Sequence, residues 1–477
     1  MRIAIVGCGR VGLVTGACLA ALGHEVTGAD RDAEAVSNLR EGRTEIYEPH
    51  LDELIHRGLR SGALRFTGDT GEAVRCSEAV FLCVGVPQLA SGEADVSALD
   101  AAAREVGKTL GTLSGGERLV VECSTVPVQT GAQLRRLLGV YSRNRGAQFR
   151  VAANPQFLRE GNAVEEFLHP ERVLIGADDA ASEKFLREVY APLLDRRFTC
   201  PLHPRGCPEK KAPELLATAV GSAELIKQAA NSFLAVKIAY ANVLAELCER
   251  LGGDVQEVTR AMGLDARIGP RALEAGLGFG GARLPKDLRA FRHLAEQAGV
   301  DAGIVQAAEE ANRQRIDFFL KKIERSLWIL KGKRVALLGL AYKAKTEDAR
   351  NSPALALLDG LLSAGASVVA YDPQAMPAAR QARPELLCAN SALEAADGAD
   401  ALVIATEWDE FRALDWAEVR QRMARALVLD GRNLLSPRQM KSLGFEYYSV
   451  GRDTCTTGQP RNDAGETPAP HGAKPHP

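Results

Sequence analysis

The chain carries almost no net charge: 59 Lys and Arg stand against 61 Asp and Glu, leaving −2 over 477 residues. A balance this close gives no broad electrostatic attraction to nucleic acid or to an anionic membrane. No apolar run approaches the ~18 residues of a membrane span. The N-terminal Met1-Arg-Ile-Ala-Ile-Val-Gly7 reaches glycine too early for a signal peptide and reads as a strand. Ten cysteines are present, none in a tight Cys-x-x-Cys pair. Most lie in apolar runs such as Val80-Phe-Leu-Cys-Val84 and read as reduced, buried residues of a cytoplasmic protein. Cys200 and Cys207 differ, flanking a proline-rich loop with His203 between them. The sequence offers no further ligand beside them, so no metal is expected.

What is present is an alternating α/β pattern. At ~150 residues per domain the length allows two to four domains. Short β-rich runs at Arg2–Val6, His24–Ala29, Ala79–Val84, Arg118–Cys123, Phe149–Ala152 and Arg172–Ile175 alternate with helical stretches such as Val11–Leu22 and Ala33–Leu39. Such alternation predicts a doubly wound parallel sheet with crossover helices. Residues from Pro201 to Leu215 read as loop, and Ala217 to Leu251 as a long helix. Further helices follow, with a glycine-rich break at Gly276–Gly281. Strands resume at Arg334–Leu338, Ser367–Tyr371, Ala401–Ala405, Ala426–Leu429 and Tyr447–Val450. The expected organisation is a Rossmann-like domain over 1–200, a central helical domain over 201–325 with an insertion near 200–215, a second Rossmann-like domain over 326–452, and a disordered tail over 453–477.

Gly7-Cys-Gly9-Arg10-Val11-Gly12 follows a strand and opens a helix. Glycines at that spacing permit a tight turn and close approach of backbone to a pyrophosphate at the helix N-terminus. Asp30 ends the next strand, where a carboxylate accepts hydrogen bonds from a ribose 2′-hydroxyl. Arg31 beside it could favour a 2′-phosphate, but the carboxylate would repel one, so the reading is NAD. The second lobe has Leu338-Gly-Leu-Ala-Tyr-Lys343 in the equivalent place, without three glycines, and is expected to keep the fold but not the dinucleotide. Lys343 and Arg350 beyond it suit phosphate contacts.

Five stretches, Ser124-Thr-Val-Pro-Val128, Asn154-Pro-Gln-Phe-Leu-Arg-Glu-Gly161, Glu224-Leu-Ile-Lys-Gln-Ala-Ala-Asn231, Gly278-Phe-Gly-Gly-Ala-Arg-Leu-Pro-Lys-Asp287 and Leu338–Lys343, occur together in this order. They resemble the UDP-glucose/GDP-mannose dehydrogenase family from Met1 to about Arg452. The resemblance implies an N-terminal NAD domain, a helical middle used for homodimerisation, and a C-terminal domain holding a nucleotide diphosphate. The implied substrate is a nucleotide-linked sugar, UDP-hexose first, oxidised at C6. Lys227 and Asn231 match the pair that stabilises negative charge on the C6 oxygen, and their i, i+4 spacing places them on one helix face. Asp287 matches an aspartate working with an ordered water, and Thr125 a threonine near the nicotinamide and that water. Cofactor contacts are implied for Gly7, Gly9, Arg10, Val11, Gly12, Asp30, Val86, Thr125, Glu160 and Arg350. Substrate contacts are implied for Phe157, Leu158, Phe279, Gly280, Lys343 and Arg432, with Arg267 offered to a neighbouring subunit's substrate.

Two positions depart from the family pattern. Its glycine-rich loop carries a cysteine where Arg283 stands, and its asparagine–proline motif a glutamate where Gln156 stands. The cysteine forms a thiohemiacetal with the C6 aldehyde, from which hydride leaves to give a thioester. The glutamate serves thioester hydrolysis. A guanidinium stays protonated and is no nucleophile, and an amide cannot shuttle a proton. The expected activity is therefore oxidation to the aldehyde level, or beyond it without a thioester. An ordinary UDP-glucose 6-dehydrogenase using a non-cysteine route and a non-catalytic binding protein are the rivals. Cys123, just before Ser124, is read as a packed strand residue rather than a substitute nucleophile.

Overall fold

The computed structural model describes residues 1–89, 93–113, 115–143, 148–207 and 211–452; the tail expected to be disordered lies outside them. A parallel sheet covered by helices on both faces needs strands that are apolar along their length. The segment Ala79–Leu82 meets that demand, buried at every position. It is β4 of an eight-stranded sheet made of β1 (Arg2–Val6), β2 (Glu25–Ala29), β3 (Leu64–Thr67), β4, β5 (Arg118–Glu122), β6 (Phe149–Ala153), β7 (Arg172–Ala177) and β8 (Glu214–Thr218). The spatial order is β3-β2-β1-β4-β5-β6-β7-β8. One pair breaks the parallel rule: β6 and β7 run antiparallel through Ala152↔Ala177 and Ala153↔Gly176.

β3 and β8 are additions to the sequence reading. β8 occupies residues read as the end of a loop and the start of a helix, and the helix begins instead at Val220. The physical reason is its position at the sheet edge. None of its residues is fully buried, so it lacks the apolar run that marks a central strand. Because β8 pairs with β7 in parallel, the first sheet draws in chain beyond residue 200.

Helix Val220–Leu251 then runs for 32 residues and stops at Gly252, whose φ of 81° is a left-handed cap. Helices Val255–Gly263, Leu284–Gln297 and Gly303–Leu327 pack around it. The second sheet holds β9 (Arg334–Leu338), β10 (Ser367–Tyr371), β11 (Leu387–Cys388), β12 (Ala401–Ile404), β13 (Leu427–Asp430) and β14 (Glu446–Ser449). Its order is β11-β10-β9-β12-β13-β14, parallel throughout. Both sheets reverse direction of growth beside their first strand, where α/β proteins place ligands at the carboxyl ends of strands. No described helix is long and apolar enough to cross a membrane.

Candidate active site

The loop after β1 is shaped by backbone contact. A Cβ on Gly12 would lie 1.9 Å from Gly7 O, so that position admits only glycine. Gly9 is the N-cap of helix Arg10–Ala21 and supplies no side-chain cap; a Cβ on it would meet nothing within 4 Å. The helix N-terminus is thus open on the side from which a pyrophosphate would approach. Asp30 faces the same loop, accepting from Cys8 N at 2.7 Å and Asp32 N at 3.0 Å. These residues fit a dinucleotide. The second lobe repeats the plan with a different outcome. Asp372, after β10, accepts from Leu340 N at 2.7 Å and Ala341 N at 3.0 Å, but it is fully buried and Trp408 Nε1 donates to it at 3.1 Å.

A cleft of about 1850 Å³ lies between the first lobe, the central helices and the second lobe. Gln156, Phe157, Leu158, Glu160, Lys227, Asn231, Phe279, Gly280, Arg283, Lys343 and Arg432 all line it. Lys227 and Asn231 project from the first third of helix Val220–Leu251. Asn231 Nδ2 donates to Asp287 Oδ2 at 2.5 Å. Asp287 is 1% exposed, and its Oδ1 has no hydrogen-bond partner among the described residues. An acceptor so placed is ready for a hydroxyl or a water. Burial lowers the Lys227 ammonium from its ordinary 10.5 to about 8; Asp287 opposes the shift while Arg283, Lys286 and Arg172 reinforce it. Its Nζ sits 4.8 Å from the centre of the Phe157 ring, and the Arg172 guanidinium 4.4 Å from the same ring.

Arg283 precedes helix Leu284–Gln297. Its guanidinium donates to Leu158 O and lies 3.9 Å from Glu160 Oε1. Gln156 is tied into a buried network: its amide donates to Asn154 Oδ1 at 2.6 Å, which also accepts from Tyr190 OH at 2.5 Å. A donor is what that oxygen requires of residue 156, and an ionised carboxylate supplies none. Cys123 is buried, with its thiol pushed well up by burial and then by Cys83 and Glu122. That is the environment of a packing cysteine, not of a nucleophile.

The remaining expected residues are placed around this centre. Val86 O accepts from Lys286 Nζ at 2.9 Å, which joins the loop after β4 to the start of helix Leu284–Gln297. Thr125 follows Ser124, whose hydroxyl donates to Val84 O at 2.6 Å. Arg10 donates to Tyr47 O at 3.0 Å and reaches Glu48, Glu160 and Glu347. Arg350 pairs with Asp348. Burial lowers the Lys343 ammonium, opposed first by Glu407. Arg432 is held by Ala405 O at 2.8 Å and Tyr342 O at 3.0 Å. Arg267 does not line the cleft; it is paired with Asp265 and its side chain is 88% exposed. Lys286 and Arg172 were not singled out in sequence, although Lys286 adjoins Asp287 in a quoted motif. No metal is expected from sequence because ligands beside Cys200 and Cys207 are too few; the fold adds His169, and one ligand atom from each of His169, Cys200, His203 and Cys207 lies within 4.8 Å of the others.

Three family models match the chain: the UDP-glucose/GDP-mannose dehydrogenase NAD binding domain over residues 1–194, central domain over 221–314 and UDP binding domain over 336–437. A UDP-glucose 6-dehydrogenase of Rhizobium meliloti is 41% identical over 456 residues, covering 95% of this chain and 100% of the relative. One from Rickettsia bellii is 40% identical over 458 residues, covering 94% and 99%. Among solved structures, a UDP-glucose dehydrogenase from Pyrobaculum islandicum is 36% identical with a TM-score of 0.84, covering 94% of this chain and 98% of that one. With its glycine loop, its eight- and six-stranded sheets and its shared cleft accounted for, this chain belongs to the UDP-glucose/GDP-mannose dehydrogenase family and carries that family's NAD-binding domain.

Proposed function

We propose that the protein oxidises C6 of a UDP-hexose with NAD, with UDP-glucose as the first candidate, and that the reaction halts at the aldehyde. The observation that carries this reading is that Lys227, Asn231 and Arg283 line one cleft, with buried Asp287 bonded to Asn231 behind them. NAD supplies the hydride acceptor. Asp287, whose buried Oδ1 has no hydrogen-bond partner among the described residues and lies 3.9 Å from the Lys286 ammonium, takes up the C6 hydroxyl proton directly or through a water. Lys227 and Asn231 offset the negative charge that develops on the C6 oxygen as the C6–H bond breaks. Lys343 and Arg432 line the second-lobe wall of the cleft and provide cationic contacts for the diphosphate. No side chain at position 283 can then bond to the aldehyde carbon.

A second reading has its own support. Relatives named UDP-glucose 6-dehydrogenase match at 40–41% identity over nearly the whole chain, which favours complete oxidation to the uronic acid. Here the hydrated aldehyde would surrender a second hydride without attachment to the protein. NADH absorbance with UDP-glucose, combined with product mass, separates the two. One NADH per sugar and an aldehyde product support the first, and two with a uronate product select the second. No NADH with any of several UDP- and GDP-hexoses would refute both.

The same reading includes a homodimer in the cytoplasm. Helix Val220–Leu251 leaves Phe233, Tyr240, Val243, Leu247 and Leu251 exposed on its surface, an apolar face that a second copy can cover. Arg267, exposed and outside its own cleft, would exchange its Asp265 partner for the substrate of the neighbouring subunit. Leu247→Asp should yield a monomer by light scattering, and Arg267→Ala should weaken substrate binding while leaving the dimer intact. A wild-type monomer would refute the assembly.

A further inference from the structure

Outside the catalytic cluster, one group of side chains has the composition of a metal centre. Helix Ala163–Leu168 ends at His169, immediately before β7. Beyond helix Ala180–Leu194 the chain runs Cys200-Pro-Leu-His203-Pro-Arg-Gly-Cys207. Gly206 N donates to His203 O at 3.0 Å, closing a turn, and Gly206 has φ 122°. That turn brings Cys207 back beside His203. Tertiary folding then sets both against His169, which lies 31 residues before Cys200 in the chain.

We infer that His169, Cys200, His203 and Cys207 form a structural Zn²⁺ site. One ligand atom from each lies within 4.8 Å of the others. Cys200 Sγ is 3.2 Å from His169 Nε2 and 3.4 Å from His203 Nδ1, and Cys207 Sγ is 3.5 Å from His169 Nε2. With Zn–S of about 2.3 Å and Zn–N of about 2.0–2.1 Å, a tetrahedron has N···S edges of about 3.6 Å. The observed separations are those of ligands around one small ion. Two thiolates and two neutral imidazoles also cancel the charge of Zn²⁺, which suits a half-buried position. Arg196 Nη2 lies 3.5 Å from Cys207 Sγ, an outer donor appropriate to a thiolate that a metal has deprotonated. Four protein ligands leave no open coordination position, so the ion's role is mechanical.

What it would brace is the cleft wall. His169, Glu171 and Arg172 all line the cleft, and Arg172 stacks on the Phe157 ring that also lies beneath Lys227. Loop 195–207 fastened to His169 therefore fixes the start of β7. The site's residues are separate from those assigned to hydride transfer, so this inference and the proposed reaction can fail independently.

The test uses the full chain, purified without a histidine tag or chelator, and measures metal by inductively coupled plasma mass spectrometry. About one zinc per chain is expected, and replacement by Co²⁺ should give the visible d–d and thiolate charge-transfer bands of a tetrahedral site. The Cys200→Ser/Cys207→Ser double variant should lose at least about ten-fold in metal affinity. Zinc below about a tenth of an equivalent after dialysis against ZnCl₂ would overturn the inference, since a preformed site of this ligand set binds stoichiometrically. So would a Cys200–Cys207 disulfide in the purified protein, or unchanged metal binding in the double variant. If the double variant does not fold, the metal content and cobalt spectrum of the unaltered chain decide the matter alone.

Discussion

Lys227 gives the sharpest kinetic prediction. Burial brings its ammonium from 10.5 to about 8, a shift equivalent to ~3 kcal/mol at about 1.4 kcal/mol per unit. If the cation stabilises the C6 oxygen, kcat/KM must fall as pH rises through about 8, because the required proton is leaving the free enzyme. The neighbours set the direction of two controls. Arg283 lowers the Lys227 value and Asp287 raises it, so Arg283→Gln should move the alkaline limb to higher pH. Asp287→Asn should move it lower, on top of a loss of rate. Lys227→Ala should reduce kcat ~10²–10³-fold, the usual effect of removing one oxyanion donor. The stability consequence has the opposite sense to a salt-bridged lysine. Below about 8 the folded and unfolded forms are both protonated and the full destabilisation is present. Between there and the unfolded value the unfolded chain binds more protons, so stability rises with pH. Initial rates of NADH formation across pH 6–10 form the assay. A kcat/KM that climbs through 8, or a limb unmoved by Arg283→Gln, would show that the neutral amine is the working species or that Lys227 is not what titrates.

Three further outcomes are expected. Arg283→Cys with Gln156→Glu should raise the yield of acid over aldehyde, with effects that exceed the sum of the single changes; product ratios by mass spectrometry check this, and an unchanged ratio counts against the assignment of those positions. Asp30→Ala removes a charged acceptor worth ~1.5–3 kcal/mol, so NAD should bind ~10–100-fold more weakly by calorimetry, and equal affinity would exclude Asp30 from the ribose contact. Gly161→Ala places a Cβ 2.4 Å from Lys345 O at a φ of 78°, and should destabilise the chain by at least ~2 kcal/mol in urea unfolding; an unshifted midpoint would mean the lobes separate freely there.

The central strands were legible because each is a short apolar run between helical stretches: β1, β9 and β10 have the bounds read from sequence. β8 was not, since an edge strand with no fully buried residue has no pattern to distinguish it from loop. β11 is two residues long and below any periodic signal. The catalytic cluster was visible in outline through the spacing of Lys227 and Asn231, but the Asn231–Asp287 bond joins residues 56 apart. His169 was invisible for a related reason. It sits between Leu168 and Pro170 with no ligand-type spacing to Cys200, and only the return of the chain through β7 and the following helix brings them together. Gln156 shows the reverse case: its type was read as a lost acid, whereas its surroundings show a donor that Asn154 Oδ1 uses.

The capped carboxylate of Asp372 has a consequence for stoichiometry. Six strands of each sheet follow one order, so strand topology alone would permit two dinucleotides. An indole seated on the second acid shuts that option, limiting the chain to a single redox partner and reserving the other crevice for cargo. Saturation should therefore need one nicotinamide molecule per polypeptide, a ratio set jointly by the glycines missing after β9 and by one aromatic side chain.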